Sequence, residues 1–458
     1  MSKVFLISSN TAVDPYPVYP LGMALVASAL QTGGHHVLQF DLLAGDRPEV
    51  RLKKSLLEFS PDFVGISLRN IDNVDSLTSD NHWYLEEAKR LIEKIKNLAD
   101  APIIVGGPAF SIMPEDILDY IRADFGVVGE GERAFCELLE SFAKGRLPPR
   151  IINAKGAFLS GMDMVTPCLV EEFIRFYLQR SGMVGMQTKR GCPHNCLYCT
   201  YPVLEGNQLR TRRPEAVVDD IEQMKRVYGV NNIFFTDSVF NDERGHYLKV
   251  AEALRHRRLG ISWSAFFRPK NLGHSELKLL KSSGLYAVEV GSDAACDVTL
   301  EALNKRFNFS DVIEFNRICL KEEIPCAHFI MFGGPDETVT TLKEGLDNIE
   351  KLENCVVFAF SGIRILPGTG LYSRAVRDGI LAERDSLLKP VHYLSPEIDP
   401  AEMNEKIELA FHGRRDRIFP PSEGQFRMAA MNRFGYRGLM WDKLIHFANQ
   451  RPPAELGV

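Results

Sequence analysis

The sequence contains no apolar run near the ~18 residues that a membrane-spanning helix needs. Its opening, MSKVFLISSN, lacks the apolar core and small-residue cleavage site of a secretory leader. A large charge imbalance is also missing. The 54 Lys and Arg against 60 Asp and Glu leave a formal charge of −6, which argues against a general electrostatic hold on nucleic acid. Neither a solenoid repeat nor a low-complexity tract is present. Core-forming residues are not scarce, since 45% are hydrophobic, and wholesale disorder is excluded. The chain reads as a cytoplasmic globular protein, and its 458 residues suggest two or three domains. Cysteine is sparse and odd in number, nine in all, which in a cytosolic chain argues against a disulfide framework. Three of the nine lie between 192 and 199, and that clustering is the informative fact.

Residues 1–150 alternate strand and helix signals. VFLIS (4–8), HHVLQFD (35–41), FVGISL (63–68), PIIVGG (102–107) and FGVVGE (125–130) are short apolar runs that read as buried strands. LGMALVASAL (21–30), with Gly33-Gly34 behind it, and a Lys/Glu-rich stretch over 84–98 read as helices. Apolar strands separated by helices predict parallel pairing with helices on both faces. This is a doubly wound, Rossmann-like α/β domain, whose ligand belongs at the carboxyl ends of the strands.

Residues 151–182, with weaker periodicity, read as a linker. From 183 the rhythm resumes, with strands predicted at MVGMQTK (183–189), NIFFTD (232–237), ISWSAFF (261–267), AVEVGS (287–292), CAHFIMF (326–332) and CVVFAFSG (355–362). Six strands with intervening helices are too few for an eight-fold barrel and fit an open, partial (β/α)6 barrel over 183–385. Residues 386–458 read as a helical C-terminal region. Its basic cluster, Arg414, Arg415 and Arg417, reads as a solvated helix face.

The cysteine loop is Lys189-Arg190-Gly191-Cys192-Pro193-His194-Asn195-Cys196-Leu197-Tyr198-Cys199. Three thiolates on so short a loop suit three irons of a [4Fe–4S] cluster, leaving one iron open. A zinc site with His194 as fourth ligand is the alternative. The loop directly follows the first strand of the six-strand domain, which favours the cluster.

The spacing Cys192-x3-Cys196-x2-Cys199, with Tyr198 before the last cysteine, resembles the radical S-adenosylmethionine (SAM) motif, and the resemblance extends over roughly 184–385. It implies that Cys192, Cys196 and Cys199 bind the cluster, whose open iron chelates SAM, and that Tyr198 lies against the cofactor. It also implies an acidic contact to the SAM amino group at Asp237 and an arginine for its carboxylate at Arg268, whose fork suits that role. VGSDAACDVTLEALNK (290–305) resembles the segment contacting the SAM ribose, with Asp293 where relatives carry Glu. FGGPDET (332–338) resembles the turn near the adenine, with Gly333 and Gly334.

A doubly wound half ahead of this one resembles the cobalamin-dependent radical SAM enzymes. Strand-end glycines at Gly106, Gly107 and Gly129, with Glu130, match places in that family's cobalamin-binding domain, where bare backbone admits a bulky ligand. The family's Asp-x-His-x-x-Gly cobalt-ligand signature is absent after the first strand, and Asp80-Asn81-His82 lies after the third. The resemblance therefore implies cobalamin without a histidine ligand; Leu68-Arg69-Asn70 ends the third strand where the lower face would lie, and Arg69 is the candidate cofactor contact there. A cluster-borne radical and a cobalt-borne methyl group then imply C-methylation of an unactivated carbon in a lipid or natural-product intermediate. The stretch Gly65–Asn73 resembles the lipid-biosynthesis branch. Cyclisation or rearrangement without methyl transfer is the alternative. The resemblance also implies an electron donor such as flavodoxin or ferredoxin.

Overall fold

The computed structural model describes residues 1–77 and 83–445, so Asp80, Asn81 and His82, and the end of the C-terminal region, lie outside the described residues. The first sheet comprises β1 (Lys3–Ser8), β2 (His36–Asp41), β3 (Phe63–Ser67), β4 (Ile103–Gly106), β5 (Phe125–Val128) and β6 (Ile151–Asn153). Its order is β2-β1-β3-β4-β5-β6, and every pair is parallel. Val4 to Ile7 of β1 are fully buried because helices cover both faces, as the unbroken apolar run predicts. The order turns around between β1 and β3, and ligands in such sheets bind beyond the carboxyl ends there. Gly65 permits close packing, since a Cβ on it would lie 2.5 Å from Leu6 and 2.8 Å from Phe135. The expected boundary at 150 needs correcting. Ile151–Asn153 pairs with β5 as a sixth strand, covering an edge that would otherwise be open.

The second sheet contains the six expected strands: β7 (Val184–Met186), β10 (Asn232–Phe235), β11 (Ser262–Phe267), β12 (Leu285–Asp293), β13 (Cys326–Phe332) and β14 (Val356–Ser361). A seventh, β17 (Arg417–Ile418), extends it in parallel beside β14. The basic cluster is therefore not a solvated helix face. Arg417 is buried, and its guanidinium donates to the carbonyl oxygens of Cys355 at 2.9 Å and Leu352 at 2.7 Å. Two antiparallel pairs complete the strands: β8 (Lys189–Arg190) with β9 (Arg210–Thr211), and β15 (Ile363–Arg364) with β16 (His392–Tyr393).

Strand alternation divides the barrel's apolar residues into two sets. Val288 and Val290 face the outer helices and join the main core, while Ala287, Phe234, Ala327 and Phe358 face inward. The C-terminal segment fills the base of the barrel. Trp441 meets Phe358 edge-on at 5.4 Å, and the Leu439 N–H donates to the Tyr286 hydroxyl at 2.8 Å. Among the described residues no helix is long and apolar enough to cross a membrane.

Candidate functional site between sheet and barrel

The cysteine loop leaves β8 at Gly191. There φ is +86° and a Cβ would lie 2.1 Å from the Gln208 carbonyl oxygen, so only glycine fits. Asp237, expected to contact SAM, is committed to holding the start of this loop. Its oxygens accept from the Thr188 N–H at 2.7 Å, the Thr188 hydroxyl at 2.5 Å and the Lys189 N–H at 3.3 Å. The Lys189 ammonium lies 3.2 Å from Asp237 and 3.3 Å from Asp242, and donates to the Phe240 carbonyl at 2.7 Å. With Asp237 only 1% exposed and its lone pairs so engaged, the geometry makes it a positioning residue.

Cys192 is buried, and Cys196 and Cys199 are half-buried. Burial pushes the Cys199 thiol up to about 12, and the fields of Cys196 and Cys192 add to that. Among the described residues, no three His, Cys, Asp or Glu side chains converge on a single-ion site. His194 is taken up elsewhere: its Nε2 lies 3.0 Å from Arg268 Nη1. Burial, and then the charge of Arg268, depress its pKa to about 4, so the imidazole is neutral.

The expected Tyr198 and Asp293 meet beside the loop, where the Tyr198 hydroxyl donates to Asp293 at 2.7 Å. A buried cation joins them. Lys305 pairs with Asp293, and its ammonium lies 3.5 Å from Cys196 Sγ. Lys305 was not singled out from sequence, although it ends the segment expected to contact the ribose; a buried ammonium adjacent to thiolates stabilises their charge. Arg268 is 8% exposed and held by Asn241, which accepts from its N–H at 2.9 Å and donates to its carbonyl at 2.9 Å. Its Nη2 donates to the Lys305 carbonyl at 2.8 Å, while its Nε is buried without a partner. That orphaned donor beside the cysteines fits an arginine awaiting an anionic ligand. Gly333 and Gly334 lie under other protein atoms. A Cβ on Gly333 would meet Leu394 at 2.6 Å and one on Gly334 would meet Ile363 at 3.3 Å, so packing of the chain itself accounts for both.

Across from the loop lies a cavity of about 580 Å³ at the carboxyl ends of the first sheet. Gly106, Gly107, Gly129, Glu130 and Arg69 all line it, together with Arg190, Thr200, Tyr201 and Glu205 from the second domain. Gly107 has φ +101°, and a Cβ there would lie 2.5 Å from the Leu68 carbonyl oxygen, so the turn itself requires that glycine; a Cβ on Gly22, which also lines the cavity, would meet nothing within 4 Å. Glu130 has a different task from the one expected. It pairs with Arg210 at 2.7 Å and Arg190 at 3.3 Å, and accepts from the Leu159 N–H at 2.8 Å. Glu132 adds a buried contact to Arg190 at 2.6 Å, so the Gly-Glu-Gly-Glu segment ties the domains together. Glu132, Arg190 and Arg210 carry no motif that marks this pairing in sequence. Arg69 is exposed by area, but the surface it exposes is part of the cavity wall. Burial lowers its pKa, opposed by the fields of Tyr201 and Tyr16, and among the described residues no hydrogen bond or ion pair engages it. No histidine lines the cavity among the described residues.

Comparison with known proteins agrees with this division. Residues 7–139 match the B12 binding domain model, and residues 186–349 match the radical SAM superfamily model. A tryptophan 2-C-methyltransferase of Streptomyces laurentii is 24% identical over 447 residues, covering 80% of this chain and 73% of its own. A hopanoid C-3 methylase of Methylococcus capsulatus is 26% identical, covering 65% and 58%. An anaerobic magnesium-protoporphyrin IX monomethyl ester cyclase of Rubrivivax gelatinosus is also 26% identical, covering 71% and 60%. The solved structure of the radical SAM methyltransferase TsrM from Kitasatospora setae, with tryptophan and a SAM analogue bound, superposes with a TM-score of 0.85 at 22% identity, covering 96% of this chain and 97% of that one.

Proposed function

The chain joins a B12-binding domain to a radical SAM domain, and from that premise we propose that it is a C-methyltransferase acting on a lipid or natural-product intermediate held between the two. The observation that carries this reading is the shared cavity. Both domains wall it, the first with Gly106, Gly107 and Gly129 and the second with Arg190, Thr200, Tyr201 and Glu205. When bound, the [4Fe–4S] cluster and SAM supply one-electron chemistry and cobalamin supplies a methyl carrier.

The chain's own residues provide the setting. Cys192, Cys196 and Cys199 hold the cluster, and Lys305 sits against the Cys196 sulfur. The unpartnered Nε of Arg268 receives the carboxylate of SAM. Gly106, Gly107 and Gly129 let cobalamin approach the sheet. Arg69, which lines the cavity, would lie against cobalamin; a guanidinium has donors but no lone pair to give, so it would exclude water without serving as a metal ligand. The Glu130 and Glu132 contacts to Arg190 and Arg210 fix the distance between the two halves, and such positioning is what a reaction across two sites demands.

The test is metal content followed by product analysis. Protein purified without oxygen from cobalamin-supplied cells is expected to carry about four irons and one cobalt per chain, as a [4Fe–4S] cluster and one cobalamin require. With SAM, a low-potential reductant and extracted small molecules, it is expected to form S-adenosylhomocysteine in step with a methylated product. Zinc in place of iron would overturn the cluster. Iron without cobalt would overturn the methyl carrier. SAM cleavage without S-adenosylhomocysteine would replace methylation by cyclisation or rearrangement.

A further inference from the structure

Glu289 lies at the middle of β12, inside the barrel. Its neighbours on the strand, Val288 and Val290, face the outer core, so Glu289 faces in. It is 3% exposed, and among the described residues no hydrogen bond or ion pair engages it. A buried carboxyl without a partner is costly to the fold alone. Lys189 and Arg417, which also lie inside the protein, are each satisfied by chain atoms.

Aromatic rings surround it. Phe266 is its register partner on β11 and is 39% exposed although it points into the barrel. On the other side Glu289 pairs with Ala327, and Phe329 follows on the same inner face, with its ring 6.4 Å from that of Phe360. Tyr16, from the loop after β1, reaches in from the other domain, and its phenol feels the charges of Glu289, Tyr286 and Arg69. The group therefore lies between the plug formed by Tyr286 and Trp441 below and the cysteine loop above. From Glu289 to Asp293 the strand climbs roughly 13 Å, at about 3.3 Å per residue.

We propose that this inner face of the barrel is an organic-ammonium site: Glu289 accepts the N–H groups of a substrate amine, and Phe266, Phe329, Phe360 and Tyr16 flank the cation and its apolar body. Ring faces attract cations, and the attraction grows when water is excluded. A carboxylate within aromatic walls selects an amine over an uncharged lipid, for which Glu289 would stay buried and unpaired. The inference rests on the methyltransferase reading for the position of the substrate, but concerns only what that face binds.

Burial pushes the Glu289 carboxyl up to about 8. The ionisable groups facing it are Tyr16 and Tyr286, both held above their usual range by burial, and beyond Tyr16 the always-charged Arg69. Ammonium binding therefore strengthens as pH rises through the carboxyl's titration.

The test is calorimetry on the full chain with its cofactors bound and no SAM present. Three probes share a shape and differ in charge: 2-phenylethylammonium, 2-phenylethanol and 3-phenylpropionate. The ammonium is expected to bind about tenfold or more tightly than the alcohol, as a charge-assisted hydrogen bond implies, and the carboxylate weakest. Its affinity is expected to rise about tenfold between pH 6.5 and 8.5. Glu289→Gln, which keeps the shape, is expected to remove both the preference and the pH dependence and to leave the alcohol within about threefold. Equal binding of ammonium and alcohol by the unaltered protein would overturn the proposal even if the variant failed to fold. So would a preference that survives in Glu289→Gln. Neither result bears on iron, cobalt or S-adenosylhomocysteine, which decide the reaction.

Discussion

The barrel mouth and the space between the domains treat charge in opposite ways. At the mouth, Asp237, Lys189, Asp242, Asp293 and Lys305 are buried and matched to one another. Further in and across the gap, Arg69 and Glu289 have no hydrogen-bond or ion-pair partner among the described residues. Buried charge is tolerated when it is paired, so the first group serves the loop's shape. The second group is satisfied only when something else is bound. The largest test of this contrast lies in the loop the first group holds. Cys196→Ala is expected to reduce bound iron from about four per chain to below one, because two thiolates do not retain the cluster; elemental analysis after reconstitution checks it.

Disturbing the matched side should cost stability. Asp237→Ala leaves the Lys189 ammonium with Asp242 and the Phe240 carbonyl and frees two N–H donors. The expected loss is about 3–5 kcal/mol, the range for breaking a buried pair, read from urea unfolding of the ligand-free chain. An unaltered midpoint would show that the carboxylate is not the keystone of the loop.

Disturbing the unmatched side should do the reverse. Glu289 has its folded pKa raised to about 8, above its unfolded value. The folded state then holds the proton more tightly, so its contribution is fully present below the unfolded pKa and is lost as pH rises toward 8. Glu289→Gln removes that loss and is expected to stabilise the ligand-free chain by roughly 1–4 kcal/mol at pH 8, with little effect at pH 4. Thermal unfolding at the two pH values checks the sign. Destabilisation at pH 8 would mean that the carboxylate belongs to the matched group after all.

The same contrast explains what was legible in the sequence. The parallel strands were legible because they are buried on both faces and therefore appear as unbroken apolar runs, such as VFLIS and CAHFIMF. β6 and β17 were not, since Ile151–Asn153 and Arg417–Ile418 are too short to carry a period and form only against an existing edge. The three cysteines stand out because their spacing is local. So do Gly106, Gly107 and Gly129, because they end successive strands, and all three line the cavity. The partners of Asp237 and Glu130 do not. An acid at a strand end reads alike whether it meets a ligand or a lysine, and the contact joining Glu132 to Arg190 spans 58 positions. Glu289 was passed over because a single acid in an apolar strand has no pattern of its own.

The smallest effect is expected at the seam between the two regions. Arg190 contacts both Glu130 and Glu132, so removing one acid leaves the guanidinium still paired. Glu132→Gln keeps a hydrogen-bond acceptor and is expected to cost about 0.5–1.5 kcal/mol, the net value of an ordinary hydrogen bond. A double-mutant cycle with Arg190→Met separates this contact from the loss of either residue alone. If the pair holds the domains in register, the coupling energy is positive and Glu132→Gln also weakens cobalamin retention on gel filtration, Glu132 being a lining residue of the cavity as well as the partner of Arg190. A coupling energy near zero would mean that Arg190 is satisfied by Glu130 alone, and that the seam is held by the apolar core shared between the domains.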